Sequence, residues 1–401
     1  MRNSPKLSVG QVFLAFLKLG LTSFGGPVAH LSYFRDEFVT RRRCLKEENY
    51  ADLIALCQFL PGPASSQVGI GIGLSQAGWR GALAAWTGFT LPSALALILF
   101  AYGITALQTS AVEVGWLHGL KVVAVAVVAQ AIWGMAKTLC PDRPRGSVAI
   151  LAAIVALAWG GVGGQLAAIG GGALLGLYAL RPEPPGDHEP HLFTVGRKSA
   201  LLALALFFVL LLLLPILAQG GSSTLALFDS FYRSGALVFG GGHVVLPLLQ
   251  AEVVNPGWIG KDLFLAGYGV AQAVPGPLFT LAAFLGAAQQ MTPNGWVGGM
   301  ICLLAIFLPS FLLVVGILPF WERLGKNRRV RSALGGVNAA VVGLLLAAFY
   351  DPVWSSGILS AGDFVLALAA FGLLSLWKMP PWLVVGALGL GGGMLASFFP
   401  G

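Results

Sequence analysis

Residues 16–26 of the chain, FLKLGLTSFGG, occur a second time as residues 231–241, FYRSGALVFGG. Each copy has an aromatic residue, a cation two positions later, and a pair of glycines that ends an otherwise apolar run. The two cations, Lys18 and Arg233, lie 215 residues apart. A motif repeated at this distance indicates that the chain is a duplication, so each half has to be interpreted together with the other.

Further matches keep nearly the same separation over more than a hundred residues. The matched pairs are QFLPGP at 58–63 with QAVPGP at 272–277, Gly78-Trp79 with Gly295-Trp296, and Pro92-Ser93 with Pro309-Ser310. Chance similarity does not hold a register over such a length, and the sequence therefore predicts a tandem duplication.

The composition indicates an integral membrane protein. Hydrophobic residues make up 57% of the chain and charged residues only 10%, whereas soluble domains usually have about 45–50% and about 25%. Residues 147–180 and 199–218 contain no Asp, Glu, Lys or Arg, and each run is longer than the roughly 18 apolar residues that a membrane helix needs. We expect an all-α, multi-pass protein.

A polar, proline-rich stretch divides the chain. Residues 181–198, RPEPPGDHEPHLFTVGRK, are predicted to form a cytoplasmic linker. We predict an N-terminal transmembrane repeat at 1–180, the linker with a connecting transmembrane helix at 181–223, and a C-terminal transmembrane repeat at 224–401. About six hydrophobic segments fall in each half, near 9–28, 50–76, 80–105, 116–138, 147–160 and 163–180, then 224–246, 262–289, 296–319, 333–350, 362–377 and 381–399, with an extra one at 199–218.

The extra segment would place the second repeat upside down relative to the first, as in many secondary transporters. Loop charges agree with this inversion. The loop after the first segment is basic, with Arg41–Arg43, whereas the equivalent loop of the second repeat has Lys261 offset by Glu252 and Asp262. Basic loops stay in the cytoplasm, so the two loops are expected on opposite sides of the membrane. A fully crossing first segment would put the basic loop outside. We therefore expect the first and second segments to be re-entrant, folding back at their Gly/Pro breaks, within a total of 10 to 13 crossings.

The breaks predict a binding site. Lys18 precedes Gly25 by about two helical turns and lies on nearly the same face. A helix that restarts after two glycines presents free backbone N–H groups with a partial positive charge, which suits an anion. Discontinuous helices are also where transporters bind their substrates. The substrate-binding candidates are Lys18, Ser23, Gly25, Gly26, Gln58, Gly62 and Ser65 in the first repeat, and Arg233, Gly240, Gly241, His243, Gln272 and Gly276 in the second.

Structural alternatives exist for each charged candidate. A single Lys18 would be assigned to the membrane interface, but its pairing with Arg233 in the duplication favours a pathway for an anionic ligand. Asp229 lies four residues before Arg233, so a local ion pair competes with a role in ion coupling. Glu37 and Glu252 align and are either loop caps or coupling residues. Because we expect few deeply placed carboxylates, obligatory proton coupling is mildly disfavoured.

Four stretches together resemble the ChrA-type chromate transporters of the CHR superfamily, in their long, two-domain form. They are FLKLGLTSFGGPVAHLSYFR, QFLPGPASSQVGIGIG, FGGGHVVLPLL and AQAVPGP. The resemblance covers nearly the whole chain except the linker and the last two segments, and Ser32 departs from it where the family often has glycine. It implies a secondary transporter that exports chromate across the bacterial cytoplasmic (inner) membrane and confers chromate resistance, with sulfate as a competing analogue.

The residues themselves specify only an oxyanion. A sulfate or other oxyanion transporter, working by import or exchange, would carry the same motifs, and voltage-driven uniport, proton antiport and proton symport all remain open. An anion channel would need a continuous polar path, which fits the broken helices less well. A membrane enzyme would need a cluster of acid, base, metal ligand or nucleophile, and the scattered candidates form none. We expect no cofactor, no metal and no nucleic acid; the partners are the anion and the lipid bilayer, and a homodimer is compatible with the sequence.

Overall fold

The computed structural model describes residues 6–107, 111–180, 195–240 and 242–388, and these are helical with no strand. Six of the helices are long and apolar enough to cross a membrane. Residues 181–194 of the predicted linker, Gly241 and residues 389–399 of the last predicted segment lie outside the described residues. The predicted all-α, multi-pass membrane fold is confirmed.

The first repeat runs from α1 to α7. Its helices are α1 (Val9–Thr22), α2 (Gly26–Phe34, continued by a π-helical turn at Arg35–Arg41), α3 (Glu47–Phe59), α4 (Ala64–Leu107), α5 (Ala111–Leu139), α6 (Arg143–Ala158) and α7 (Gly161–Ala179). Non-helical dihedral angles at Ala77 and Gly78 divide α4 into two limbs. The connecting helix α8 (Arg197–Ala218) follows.

The second repeat has the same order. Its elements are α9 (Ser223–Leu237), a 3₁₀ turn at Gly242–Val244 leading into α10 (Val245–Leu249) and a π-helical turn at Gln250–Val254, α11 (Lys261–Ala273), a 3₁₀ turn at Leu278–Thr280 leading into α12 (Leu281–Ala288), α13 (Gly295–Ile317), α14 (Trp321–Lys326), α15 (Arg328–Ala348), α16 (Ser355–Gly357), α17 (Ala361–Ser375) and a helix at 381–388, α18.

The chain breaks its helices at equivalent places in the two repeats. The gap between α1 and α2 corresponds to the gap between α9 and the Gly242–Val244 turn, and a π-helical turn follows in both repeats. The PGP sequences separate α3 from α4 and α11 from α12. Glycine and proline cause these breaks locally, since one adopts positive φ and the other lacks an N–H donor. The predicted Gly/Pro breaks are therefore confirmed.

The broken helices are short. α1 has 14 residues and α3 has 13, which makes each about 20 Å long, against a hydrocarbon core of about 30 Å. Neither helix crosses that core alone. The lengths agree with the expected re-entrant arrangement of the first two segments.

Equivalent helices also pack in equivalent ways. α1 packs closely on α4 at Gly20, where an added Cβ would lie 2.7 Å from the carbonyl oxygen of Phe89. α9 packs closely on α13 at Gly235, where an added Cβ would overlap the carbonyl oxygen of Ile306. Gly20 and Gly235 are aligned in the duplication. Small residues at these two positions let the backbones approach, which is how membrane helices associate without a hydrophobic driving force.

Candidate functional site: the crossing of the helix breaks

The helix breaks of the two repeats contact each other through two backbone hydrogen bonds. The Gly62 N–H donates to the carbonyl of Val238 at 2.6 Å, and the Gly276 N–H donates to the carbonyl of Ser23 at 3.0 Å. Gly62 aligns with Gly276 and Ser23 aligns with Val238. Each PGP break is thus bonded to the break after the first helix of the opposite repeat. Such reciprocal contacts are the signature of a two-fold relation.

A second reciprocal contact surrounds the first. A Cβ added to Gly62 would lie 2.8 Å from Ser310 Oγ on α13, and one added to Gly276 would lie 2.9 Å from Ser93 Oγ on α4. Ser93 and Ser310 are aligned. Both glycines have positive φ, +121° and +103°, so only glycine meets the dihedral and the space together. The pseudo-two-fold relation of the repeats therefore runs through this crossing.

Four helical runs begin at the crossing. They start at Gly26 (α2), at Ala64 (α4), at Gly242 and at Leu278. Gly242 lies against Leu278 and Pro27, since an added Cβ would be 3.6 Å and 3.8 Å from their side chains. The first N–H groups of a helix have no partner within it and carry partial positive charge. Four helix N-termini at one place add no net charge, but their partial charges give a positive electrostatic potential there.

Buried hydrogen-bond donors without partners are found in the break segments or on helices α4 and α13, which approach Gly276 and Gly62. Among the described residues, the hydroxyls of Ser23, Ser66, Thr90 and Ser310 bond to no other group. The four hydroxyl residues are each at most 3% exposed. A buried polar group left unpaired costs about 1–3 kcal/mol, so a set of them is expected to serve a bound ligand. Hydroxyl and amide donors match the acceptor oxygens of an oxyanion.

Most of the candidates predicted from sequence lie at the breaks. Ser23, Gly25, Gly26, Gly62, Gly240 and Gly276 are in the break segments, and Ser65 follows the first PGP. The Ser65 hydroxyl lies 3.4 Å from His30 Nδ1, and His243 Nδ1 lies 2.9 Å from the Tyr268 hydroxyl. Gln58 is exposed on α3 although its counterpart Gln272 is half-buried, so the two glutamines are not in matching environments.

Ser310 and Thr90 were not predicted. The signal that could have identified Ser310 is the Pro-Ser pair at 92–93 and 309–310, which the duplication conserves in register. A repeated Pro-Ser pair is weak evidence for a binding site on its own, because it is neither charged nor glycine-rich. Its role is visible only from what it contacts in the structure.

The two predicted cations are ion-paired with equivalent glutamates. Lys18 Nζ lies 3.8 Å from Glu37 Oε2, and Arg233 Nη2 lies 3.0 Å from Glu252 Oε2. The Lys18 side chain is 58% exposed and that of Arg233 only 24%. Each cation precedes its break by five residues, about 7.5 Å of helix. The cations therefore lie beside the crossing, each bonded to a carboxylate.

The surroundings of the two glutamates differ. Glu37 also accepts from Arg42 Nε at 2.7 Å and lies 3.8 Å from Arg41 Nη1. In the second repeat, Arg233 Nη2 lies 2.8 Å from Asp229 Oδ2 as well, so one guanidinium serves two carboxylates. The local ion pair expected for Asp229 is present.

Glu37, Asp229 and Glu252 are each less than a tenth exposed. The expectation that this chain has few deeply placed carboxylates is therefore wrong. The sequence did not reveal the burial of Glu37 and Glu252, because both lie in π-helical turns that follow the breaks.

Comparison with known proteins adds the family. The model of the chromate transporter family matches residues 10–177 and 225–393, which are the two repeats. A chromate transport protein of Pseudomonas aeruginosa is 28% identical over 86% of this chain and 82% of its own length. One of Cupriavidus metallidurans is 26% identical over 98% of this chain and 94% of its own length. No solved structure gives a significant match.

A half-length relative bears on the duplication. An uncharacterized transporter of Bacillus subtilis is 30% identical over 182 residues, which are 43% of this chain and 97% of that protein. A protein that corresponds to about half of this chain agrees with a duplication of one ancestral unit.

Proposed function

This chain belongs to the chromate transporter family, and on that premise we propose that it is a secondary transporter that exports chromate through the crossing of the four helix breaks. The observation that carries the proposal is the set of buried donors, unpartnered among the described residues, in and beside the break segments that the two reciprocal hydrogen bonds join. A tetrahedral oxyanion presents four acceptor oxygens, and hydroxyl, amide and helix N-terminal donors would bind them. The residues proposed to bind it are the uncharged candidates predicted from sequence that lie at the breaks, together with Ser66, Thr90 and Ser310.

Neutral donors suit a transported dianion. Permanently charged groups in direct contact would bind the ion strongly and hinder its release, whereas helix termini supply a partial charge. Lys18 and Arg233, each tied to a carboxylate about 7.5 Å along the helix from its break, would act on the ion through space without forming the contacts themselves. This role explains why both repeats keep a cation at the same position.

The reciprocal hydrogen bonds suggest how access alternates. Each PGP segment is bonded to the opposite repeat by one backbone hydrogen bond, Gly62 to Val238 or Gly276 to Ser23. In an inverted pair of repeats, rocking of one against the other would lengthen one bond and shorten the other, which would open the crossing to one side at a time.

The membrane potential favours export. A dianion leaving a cell that is negative inside gains about 4.6 kcal/mol per 100 mV, twice the value for one charge. This free energy supports a gradient of more than about three decades. We therefore place the protein in the cytoplasmic (inner) membrane of a bacterium, where export would confer chromate resistance.

The test is chromate uptake into everted membrane vesicles at an imposed interior-positive potential. The variants are Ser23→Ala, Ser310→Ala, Lys18→Ala and Arg233→Ala, with exposed Ser147→Ala on α6 as the matched control. We expect the wild type and the control to accumulate chromate, the two serine variants to fail although they insert, and excess sulfate to compete. Wild-type vesicles that accumulate no chromate would refute the proposal, and accumulation of sulfate alone would indicate a sulfate transporter.

A further inference from the structure

We propose that Asp229 and Glu252 share one proton, that Gln165 accepts a hydrogen bond from the protonated Glu252, and that this proton binds together with the oxyanion. The inference rests on the proposed function for its second ligand, the anion. It distinguishes the carboxylates of the second repeat from Glu37, whose charge is compensated by three cations.

The cluster is compact. Arg233 donates from Nε to Asp229 Oδ2 at 3.0 Å and from Nη2 to Glu252 Oε2 at 3.0 Å. Asp229 and Glu252 come from α9 and from the π-helical turn after α10, the two segments on either side of the break. Their oxygens are therefore held together by a single guanidinium.

The charges in this cluster do not cancel. Two carboxylates and one guanidinium leave a formal charge of −1 in a site where Asp229 and Glu252 are 3% and 8% exposed. Asp229 Oδ1 is buried and has no donor in the part of the chain that the structure describes. An uncompensated buried charge is expensive, and two carboxylates that share a site raise the affinity of one of them for a proton. Uptake of one proton makes the cluster neutral.

Gln165 supplies an acceptor for that proton. It extends from α7 of the first repeat and is 8% exposed. Its Nε2 donates to the carbonyl of Pro247 at 2.9 Å, which fixes the orientation of the amide, and its Oε1 has no partner among the described residues. Gln165, Arg233 and Glu252 line one cavity of about 10 Å³, large enough for about one water. An unpaired acceptor that shares a cavity with a carboxylate suits the protonated acid and not the ion.

Other ionisable groups near the cluster are engaged elsewhere or distant from it. On the helices packed against α9 and the π-helical turn, Tyr232 donates to the carbonyl of Phe207, Lys261 pairs with Asp351, Asp262 pairs with Lys121, and Tyr268 bonds to His243. The remaining ionisable residues on these elements are Arg197 and Lys198 at the beginning of α8, exposed Tyr178 near the end of α7, and buried Cys302 in α13.

Glu37 has the opposite environment. It lies within 4 Å of Lys18, Arg41 and Arg42, so three cations surround one carboxylate, where in the second repeat one cation serves two. The aligned glutamates of the two repeats therefore have different chemistry. Glu37→Gln becomes a matched control for Glu252→Gln, at the equivalent position of the same protein.

Electrostatics links the proton to the anion. Arg233 lies about 7.5 Å along α9 from Val238, whose carbonyl bonds to the PGP loop at the crossing. Protonation removes a negative charge beside the crossing and weakens the hold of the carboxylates on Arg233. A dianion at the crossing is then bound more tightly, and by reciprocity the anion raises the affinity for the proton.

The experiment measures protons taken up when the purified protein binds chromate, by calorimetry in buffers of different ionisation enthalpy, at pH values where chromate is a dianion. Infrared difference spectra between alkaline and acidic pH, without chromate, report protonated carboxyl groups independently. We expect uptake approaching one proton per anion in wild type and Glu37→Gln, and almost none in Glu252→Gln, which also loses a carboxyl band. Gln165→Met should keep the band but shift its titration to lower pH.

The outcomes separate the two proposals. Chromate binding without proton uptake, or a carboxyl band that Glu252→Gln leaves unchanged, would overturn the proton site. A carboxyl band that depends on Glu252 in a protein that binds no chromate would support the proton site and refute the proposed substrate. A sodium-dependent and pH-independent affinity for chromate would assign the cluster to a metal cation and also overturn the inference.

Discussion

Replacing either PGP glycine by alanine should disable transport through a local and calculable strain. Gly62 has φ of +121°, and an added Cβ would lie 2.6 Å from Gln67 Nε2 and 2.8 Å from Ser310 Oγ. A non-glycine residue held in such a conformation costs about 1–3 kcal/mol. If the break must keep this shape in a state of the transport cycle, that penalty lowers the rate by about 5- to 150-fold. Gly276→Ala, with φ of +103° and Ser93 Oγ at 2.9 Å, should fall in the same range.

The assay is the initial rate of chromate uptake into everted vesicles, normalised to the amount of folded protein measured by size-exclusion chromatography. Gly170→Ala on α7 is the matched control, because nothing lies within 4 Å of its added Cβ. We expect the control to transport normally. Wild-type rates in both Gly62→Ala and Gly276→Ala would refute the reasoning that these glycines define the crossing.

Three further predictions concern single contacts. Ser310→Ala removes a buried hydroxyl that has no partner among the described residues, so the melting temperature should stay the same or rise. The variant also loses a hydrogen bond to a charged ligand, worth about 1.5–3 kcal/mol, and should bind chromate about 10- to 150-fold more weakly. Binding as tight as in wild type would contradict this prediction. Arg233→Met leaves two buried carboxylates uncompensated and should destabilise the protein by about 3–5 kcal/mol. Adding Asp229→Asn and Glu252→Gln should restore the melting temperature. No recovery in the triple variant would argue against the ion-pair cluster. Gly235→Ala should lower the melting temperature through an overpacking penalty of about 1–3 kcal/mol, and an unchanged value would show that α9 and α13 can separate.

Much of the architecture could be predicted because its causes are local. The glycine pairs and PGP sequences break helices wherever they occur, and the duplication makes each break visible twice. Sequence therefore predicted that the breaks after α1, α3, α9 and α11 would exist. The domain boundaries at 180 and 223 and the orientation of the repeats in the membrane remain predictions.

The contacts across the breaks could not be predicted in the same way. Glu37 is 19 positions beyond Lys18 and on the other side of a break, and the angle through which the chain turns there is not encoded in a periodicity. Gln165, which bonds to Pro247 of the opposite repeat, comes from a helix that appears as plain apolar sequence. Ser310 contacts a loop of the opposite repeat. Long-range pairing of this kind depends on how whole helices pack, which a local pattern does not specify.

The most direct test of the substrate site is a structure of the protein with chromate bound, in which the anomalous scattering of chromium locates the ion. We predict one peak at the crossing, within hydrogen-bond distance of Ser310 Oγ or Ser23 Oγ and close to Gly62 and Gly276. A peak beside Lys18 or Arg233 with none at the crossing would contradict the assignment of the breaks as the binding site.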